Sequence, residues 1–329
     1  MPQTGPLLVV GALLTLAASF GFTNAMEYVQ SRAKLGSSLV GGIISPLFTS
    51  MPETTVFVIA VFVYRGGAGN EIGIGTIFGQ PLMASSVSYA LVLLSVALGL
   101  KFGKREKLGM VVDRGLATPY ALVTILFPLL FLPSLLGQRA LQLPLAAVFG
   151  ASYLFFAWTV SKKKKTTTEE FNDTSPYLAR LLNPTAAAAV QLVAASVGLY
   201  LGAESMVSSM AELSALWNVS PIAISIVIVP LSTAIPETIT AMIWGYKGRD
   251  TLSISSLVGE KILYSSFYPA IALATIPWVT DVYADISILV TTGVSAMFWF
   301  FIRKGKIPYP ALALGVPFFV LFSVLAFHG

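Results

Sequence analysis

The chain has 329 residues, of which 56% are hydrophobic and only 11% charged, against about 25% charged in soluble domains. A mean hydropathy of +0.81 excludes a soluble globular protein and marks an integral membrane protein. The lack of cysteine excludes disulfides, thiolate metal sites and cysteine nucleophiles. The net charge of +5 comes from basic residues in loops between apolar runs, a topology signal rather than a nucleic-acid-binding one.

Apolar runs of roughly 20 residues, the length that crosses a bilayer as helix, recur throughout, whereas the alternating segments of a membrane β-barrel do not. The first run, near 5–26, has no basic segment before it and outlasts a signal-peptide core, so it is expected to remain in the mature protein. Nine more follow, near 36–64, 72–99, 116–136, 141–161, 184–203, 217–245, 251–276, 282–302 and 308–327. The expected class is an all-α polytopic membrane protein with ten transmembrane helices. With that count, alternate loops share a side, and 17 of the 20 Lys and Arg residues fall on one side. The other side has only Arg65 and Arg139, and Lys261 lies inside a span. The positive-inside rule then places both termini outside the cytoplasm, in what is expected to be the cell membrane.

The most polar stretch, "KKKKTTTEEFNDTSPYLAR", reads as a cytoplasmic linker and divides the chain into 1–161, 162–183 and 184–329. Each half has five spans. Because five is odd, the second half enters the membrane from the opposite side, the arrangement of inverted repeats. The halves do match internally: "SPLFTSMPETTVFVIAVFVYRG" is followed by "GNEIGIGTIFGQPLM", and "VPLSTAIPETITAMIWGYKG" by "RDTLSISSLVGEKIL". These pairs define the core hairpins 36–99 and 217–276.

Within each hairpin a proline and a glutamate interrupt an apolar run. Glu53 and Glu237 lie 12 and 10 residues from Arg65 and Lys247. At about 1.5 Å per residue that is the bilayer midplane, where an ionisable group costs on the order of 3 kcal/mol. Two such carboxylates call for a cation or a proton. Pro52 and Pro236 cannot donate, which is expected to free the carbonyls of Phe48 and Ser232. Thr49 and Glu53, like Thr233 and Glu237, are four apart and share a helix face. The resulting all-oxygen set suits hard cations such as calcium, magnesium, manganese or sodium.

Gln80 and Glu260 each follow a glycine in the next span and are expected to converge on the same point. Lys261, also at mid-membrane, reads either as the salt-bridge partner of Glu260 or a neighbouring carboxylate, or as an internal cation displaced by substrate. A buried lysine that sheds its proton would couple transport to protons. Glu27, Glu204 and Glu212 lie nearer span ends and read as mouth-lining or solvated; Asp281 and Asp285 read as loop residues. The chain has no HExxH, no GxSxG and no intramembrane serine–histidine pair, so no enzyme is expected, and no cofactor.

The paired "TSMPETT" and "STAIPETIT" segments, each with a downstream glycine-polar motif, resemble the two α-repeats of the calcium/cation antiporter superfamily. That group includes sodium/calcium and proton/calcium exchangers. The stretch "GAESMVSSMAELSALWNVSPIAISIVIV" is similar to its lead-in to the second repeat. The resemblance implies ten helices, inverted fives and outside termini, with the first span of each half as a sliding gate. It implies cation binding at Thr49, Ser50 and Glu53 in the first repeat and at Thr233 and Glu237 in the second. Gln80 and Glu260 stand where the family usually has a serine. Ala234, Ala84 and Tyr264 replace polar residues of the part that holds sodium in sodium-coupled members. The implied activity is exchange of a divalent cation, calcium foremost, for sodium or protons by alternating access. Proton-coupled transport of magnesium or manganese, or a passive channel selecting cations with carboxylates, stays open. The expected partners are the lipid bilayer and inorganic cations; oligomeric state is not legible.

Overall fold

The computed structural model describes residues 4–32, 45–136, 139–162 and 175–328. Residues 36–44 of the first hairpin and 163–174 of the linker, including Lys163, Lys164 and Lys165, lie outside the described residues, as does Lys34. Among the described residues the chain is all-α apart from one two-residue ladder. Its helices are α1 (Thr4–Arg32), α2 (Ser45–Thr49), α3 (Met51–Val58), α4 (Gly66–Met83), α5 (Tyr89–Lys101), α6 (Ala117–Leu126), α7 (Leu132–Leu136), α8 (Gln142–Lys162), α9 (Pro184–Trp217) and α10 (Pro221–Thr233). They continue as α11 (Ile235–Tyr246), α12 (Asp250–Ser265), α13 (Phe267–Thr275), α14 (Val282–Arg303), α15 (Tyr309–Ala313) and α16 (Val316–His328). Ile59–Tyr64 and Ala84–Ser88 are π-helical, the second joining α4 to α5.

Among the described residues, seven helical stretches are long and apolar enough to cross a membrane, and eight if the bent pair α10–α11 is one span. Helix also occupies the described parts of the remaining expected ranges, but in pieces: α2 with α3, and α12 with α13. The sequence reading anticipated continuous spans there. The breaks fall at Ser50, Ala234 and Ser266, so each piece is too short to pass as a spanning helix. The sixth expected span, 184–203, is longer than expected: α9 runs on through "GAESMVSSMAELSALW" to Trp217. It stops at Asn218, whose left-handed backbone (φ 53°, ψ 39°) caps it.

Small residues set the packing, as expected where lipid offers no hydrophobic drive between helices. α1 lies along α9, with Gly11 and Gly202 in backbone contact; a Cβ on Gly202 would come within 2.4 Å of Thr15 Oγ1. α4 lies along α10 through Gly75 and Gly79, where a Cβ would meet Ser225 Oγ at 1.9 Å and Ile226 O at 2.8 Å. α5 packs on α11, α6 on α14, and α8 on α13. Phe78, stacked edge-on against Phe127 and Trp278, anchors the main core.

Basic loops meet at one end of the molecule. The Arg105 guanidinium pairs with Asp250 at 3.1 Å and donates to Gly245 O, while Asp250 accepts from Val111 N. β1 (Met110–Val111) pairs antiparallel with β2 (Lys306–Ile307). At the other end, Ser220 donates to Asp281, Thr280 to Ser134, and the Trp278 indole to Leu130 O.

Candidate functional site

The two Pro-Glu segments build one local structure twice. Ser50 (φ −82°, ψ 7°) ends α2 and starts α3; Ala234 (φ −86°, ψ 4°) ends α10 and starts α11. The bonds around each break repeat: Ser50 N to Pro46 O and Ala234 N to Pro230 O are both 3.0 Å. The Thr54 hydroxyl returns to Ser50 O at 2.7 Å and the Thr238 hydroxyl to Ala234 O at 2.8 Å. Sequence reading expected a proline that strips one bond from a continuous helix. Instead the prolines stand in the first turn of a new helix, where an N–H has no helical partner anyway and the fixed φ fits. The α10–α11 pair turns by 57° at its break.

This placement sets Glu53 and Glu237 in the first turn of α3 and of α11, where the partial positive end of the helix favours a carboxylate. Glu53, Glu237 and Glu260 are 0%, 6% and 1% exposed. Their carboxylates lie within electrostatic reach of one another, so the residues from opposite halves do converge. Neither oxygen of Glu53 or of Glu237 has a hydrogen-bond partner, and Glu260 has one oxygen bare. The Gln80 amide donates to the other oxygen of Glu260. Buried acceptors of this kind are costly unless a charge or proton meets them.

The threonines cross over. Thr233 lies against Glu53, and Thr49 against Glu260, so each serves a residue of the other half rather than its neighbour four positions along. Both give their protons to their own helix, Thr233 to Val229 O at 2.8 Å and Thr49 to Pro46 O at 3.3 Å, which leaves the oxygens as acceptors. Ser50 is committed differently: its hydroxyl meets Tyr268 at 3.0 Å and Leu47 O at 3.2 Å. Among the described residues no three carboxylate or imidazole groups stand at metal-ligand spacing. A cation here would be held by two carboxylates together with hydroxyl and carbonyl oxygens, a set suited to hard ions.

Lys261 does not pair with Glu260. The only ion pair among the described residues is Arg105–Asp250. Successive helix residues diverge by about 100°, so Glu260 faces the carboxylates while Lys261 leaves on another side. Its ammonium donates to Ser85 Oγ at 2.8 Å and sits 4.7 Å from the Tyr89 ring centre and 5.8 Å from that of Tyr120. Sequence reasoning missed Ser85, Tyr89, Tyr120 and Tyr268, and took Tyr264 only as the replacement of a polar residue. Tyr264, with its hydroxyl unpartnered, is close enough to Glu53, Glu237 and Glu260 to feel their charge. Tyr268 ties α13 to Ser50 and Thr54. The four-residue spacing of Tyr264 and Tyr268 beside "GEK" was the one available signal. Glu27 is half-buried on α1 within electrostatic reach of Glu237, whereas Glu204 and Glu212 are exposed. Asp281 caps α14 through Tyr283 N and Ala284 N.

The family model for sodium/calcium exchanger proteins matches residues 5–162 and 187–328. The chain belongs to the sodium/calcium exchanger family. This exchanger is therefore an integral membrane protein of a group that handles inorganic cations. Its fold resembles that of the H+/Ca2+ exchanger CAX, with a TM-score of 0.70 at 16% identity over 98% of this chain and 81% of that one. Native YfkE superposes with a TM-score of 0.65 at 12% identity, over 98% and 90% of the two chains. The sodium-calcium exchanger NCX_Mj gives 0.58 at 14% identity, over 99% of each. Comparison with curated protein sequences finds no match.

Proposed function

We propose that this exchanger carries a divalent cation, calcium foremost, across the cell membrane against protons or sodium, by alternating access to a single central site. The observation that carries the reading is the pair Glu53 and Glu237: two buried carboxylates without hydrogen-bond partners, each in the first turn of a broken helix, drawn together from opposite halves. Thr233 and Thr49 add hydroxyl oxygens, Glu260 with Gln80 completes the shell or takes the coupling ion, and Ser50 holds the first break in place through Tyr268.

In this reading the segments 45–64, 221–246 and 250–275 are spans broken at the site, which makes ten spans in two inverted fives. The units are 1–161 and 184–329, joined by the cytoplasmic linker 162–183, with both termini outside. The matched backbone of the two breaks supports the repeat, and the gathering of basic loops around Arg105 supports the sidedness. The closely packed pair α1–α9 is the moving gate, and Glu27 lines its route to the site.

The test is flux in proteoliposomes. Accumulation of radiolabelled calcium against its own gradient, driven by an imposed proton or sodium gradient, is the expected result. Flux that only dissipates the calcium gradient would make the protein a passive channel, and the same assay with manganese or magnesium ranks the cargo.

A further inference from the structure

Lys261 is 0% exposed and has no carboxylate at ion-pair distance. A buried ammonium has three donors to satisfy, and desolvating it is costly unless something replaces water. What replaces it here is one hydroxyl oxygen, Ser85 Oγ, and the faces of two tyrosines. The rings are themselves fixed: Tyr89 and Tyr120 hydrogen-bond to each other, and Phe298 stacks on both, 4.3 Å and 5.5 Å between centres. A hydroxyl oxygen with aromatic faces is the environment that binds a free monovalent cation.

The internal repeat shows that the lysine is not a requirement of the scaffold. Aligning "GQPLMASS" with "GEKILYSS" pairs Gly79 with Gly259, Gln80 with Glu260 and Ser85 with Ser265, and sets Pro81 opposite Lys261. The cation is present in one repeat only. It lies one residue from Glu260 yet is turned to Ser85, Tyr89 and Tyr120, so it leaves the carboxylate oxygens unoccupied.

We propose that Ser85, Tyr89 and Tyr120 form a monovalent-cation subsite that the chain fills from within, the Lys261 ammonium standing in place of a free ion, so that exchange needs no sodium. The proposal rests on the exchanger reading above for its transport consequence, but the subsite itself is a statement about binding.

Two measurements separate these. In the first, purified full-length protein is unfolded thermally in sodium, potassium, methylammonium or choline chloride at equal ionic strength. Lys261→Ala opens the pocket and is expected to gain a saturable rise in Tm from methylammonium or an alkali cation over choline. The native chain and Lys261→Met, whose apolar side chain keeps the pocket full, are expected to show none. No cation-specific rise in Lys261→Ala overturns the subsite. In the second, calcium flux of the native protein is expected to be the same in sodium and in choline. Lys261→Met is expected to lose about tenfold, the scale of a site-to-site coupling, with no rescue, and Lys261→Ala to recover with added methylammonium. Should Lys261→Ala not fold, Lys261→Met decides: full flux in choline with the charge gone overturns the proposal. Absence of calcium flux from the native protein in every gradient would instead refute the exchanger reading, leaving the unfolding measurement to judge the subsite.

Discussion

Replacing Glu53 or Glu237 with glutamine changes one carboxylate oxygen to an amide at almost constant shape, which isolates the charge. Both side chains are buried, at 0% and 6% exposure, so water does little to screen what is lost. Removing one partner from a buried charge pair costs about 3–5 kcal/mol, or roughly two to four decades in affinity for a bound divalent cation. The same change should not harm the fold, because neither carboxylate has a hydrogen-bond partner to lose and each lies within reach of another. The two effects therefore have different signs. In a calcium chelator, Glu53→Gln and Glu237→Gln are expected to unfold at the native Tm or above it. In calcium, the native chain is expected to gain about 2.7 kcal/mol at 100 times its Kd, and the variants almost nothing over the same range. Thermal unfolding across a calcium titration measures both at once, and proteoliposome flux measures the consequence. If both variants keep the native calcium-dependent rise in Tm, the carboxylates are not the site.

Three further outcomes follow from the packing. The crossing of the threonines predicts that Thr233→Val weakens calcium binding even with Glu237 intact, because its oxygen stands beside Glu53 and would ligate the same cation; a calcium titration of Thr233→Val alone and combined with Glu53→Gln should show non-additive losses. Gly75→Val should fail to yield folded protein, since even its Cβ would stand 1.9 Å from Ser225 Oγ and 2.7 Å from Ile222 O; a normal yield of monodisperse protein after size-exclusion would contradict the close α4–α10 packing. Arg105→Ala should lower Tm strongly by leaving Asp250 buried without its cation, a loss of about 3–5 kcal/mol in which Asp250→Asn restores part. A double-mutant cycle with no coupling would show that the pair holds nothing together.

Much of the site was legible along the chain because it is written in residues that lipid does not tolerate without cause. Glutamates inside apolar runs, prolines beside them and a second copy in the other half are local features, and the structure places Glu53, Glu237, Glu260 and Gln80 together as that pattern suggested. Ser50, which only the resemblance marked, meets the hydroxyl of Tyr268. A residue's choice between a ligand role and a packing role depends on which helix crosses it, and no spacing rule contains that. Helix lengths failed for a related reason: hydropathy measures what lipid accepts, while α9 extends to Trp217 because α1 and other helices cover it past the apolar stretch.

The sequence by itself determined the all-α membrane class, the internal repeat and the buried carboxylates, because bilayer thickness and the cost of burying charge act on short stretches regardless of partners. The tertiary structure decided who stands beside whom. It crossed Thr233 to Glu53 and Thr49 to Glu260, and it turned Lys261 from the adjacent Glu260 to Ser85, Tyr89 and Tyr120 on other helices. Neighbours along a helix point in different directions, so what a buried charge meets is set by the crossing of helices distant in the chain.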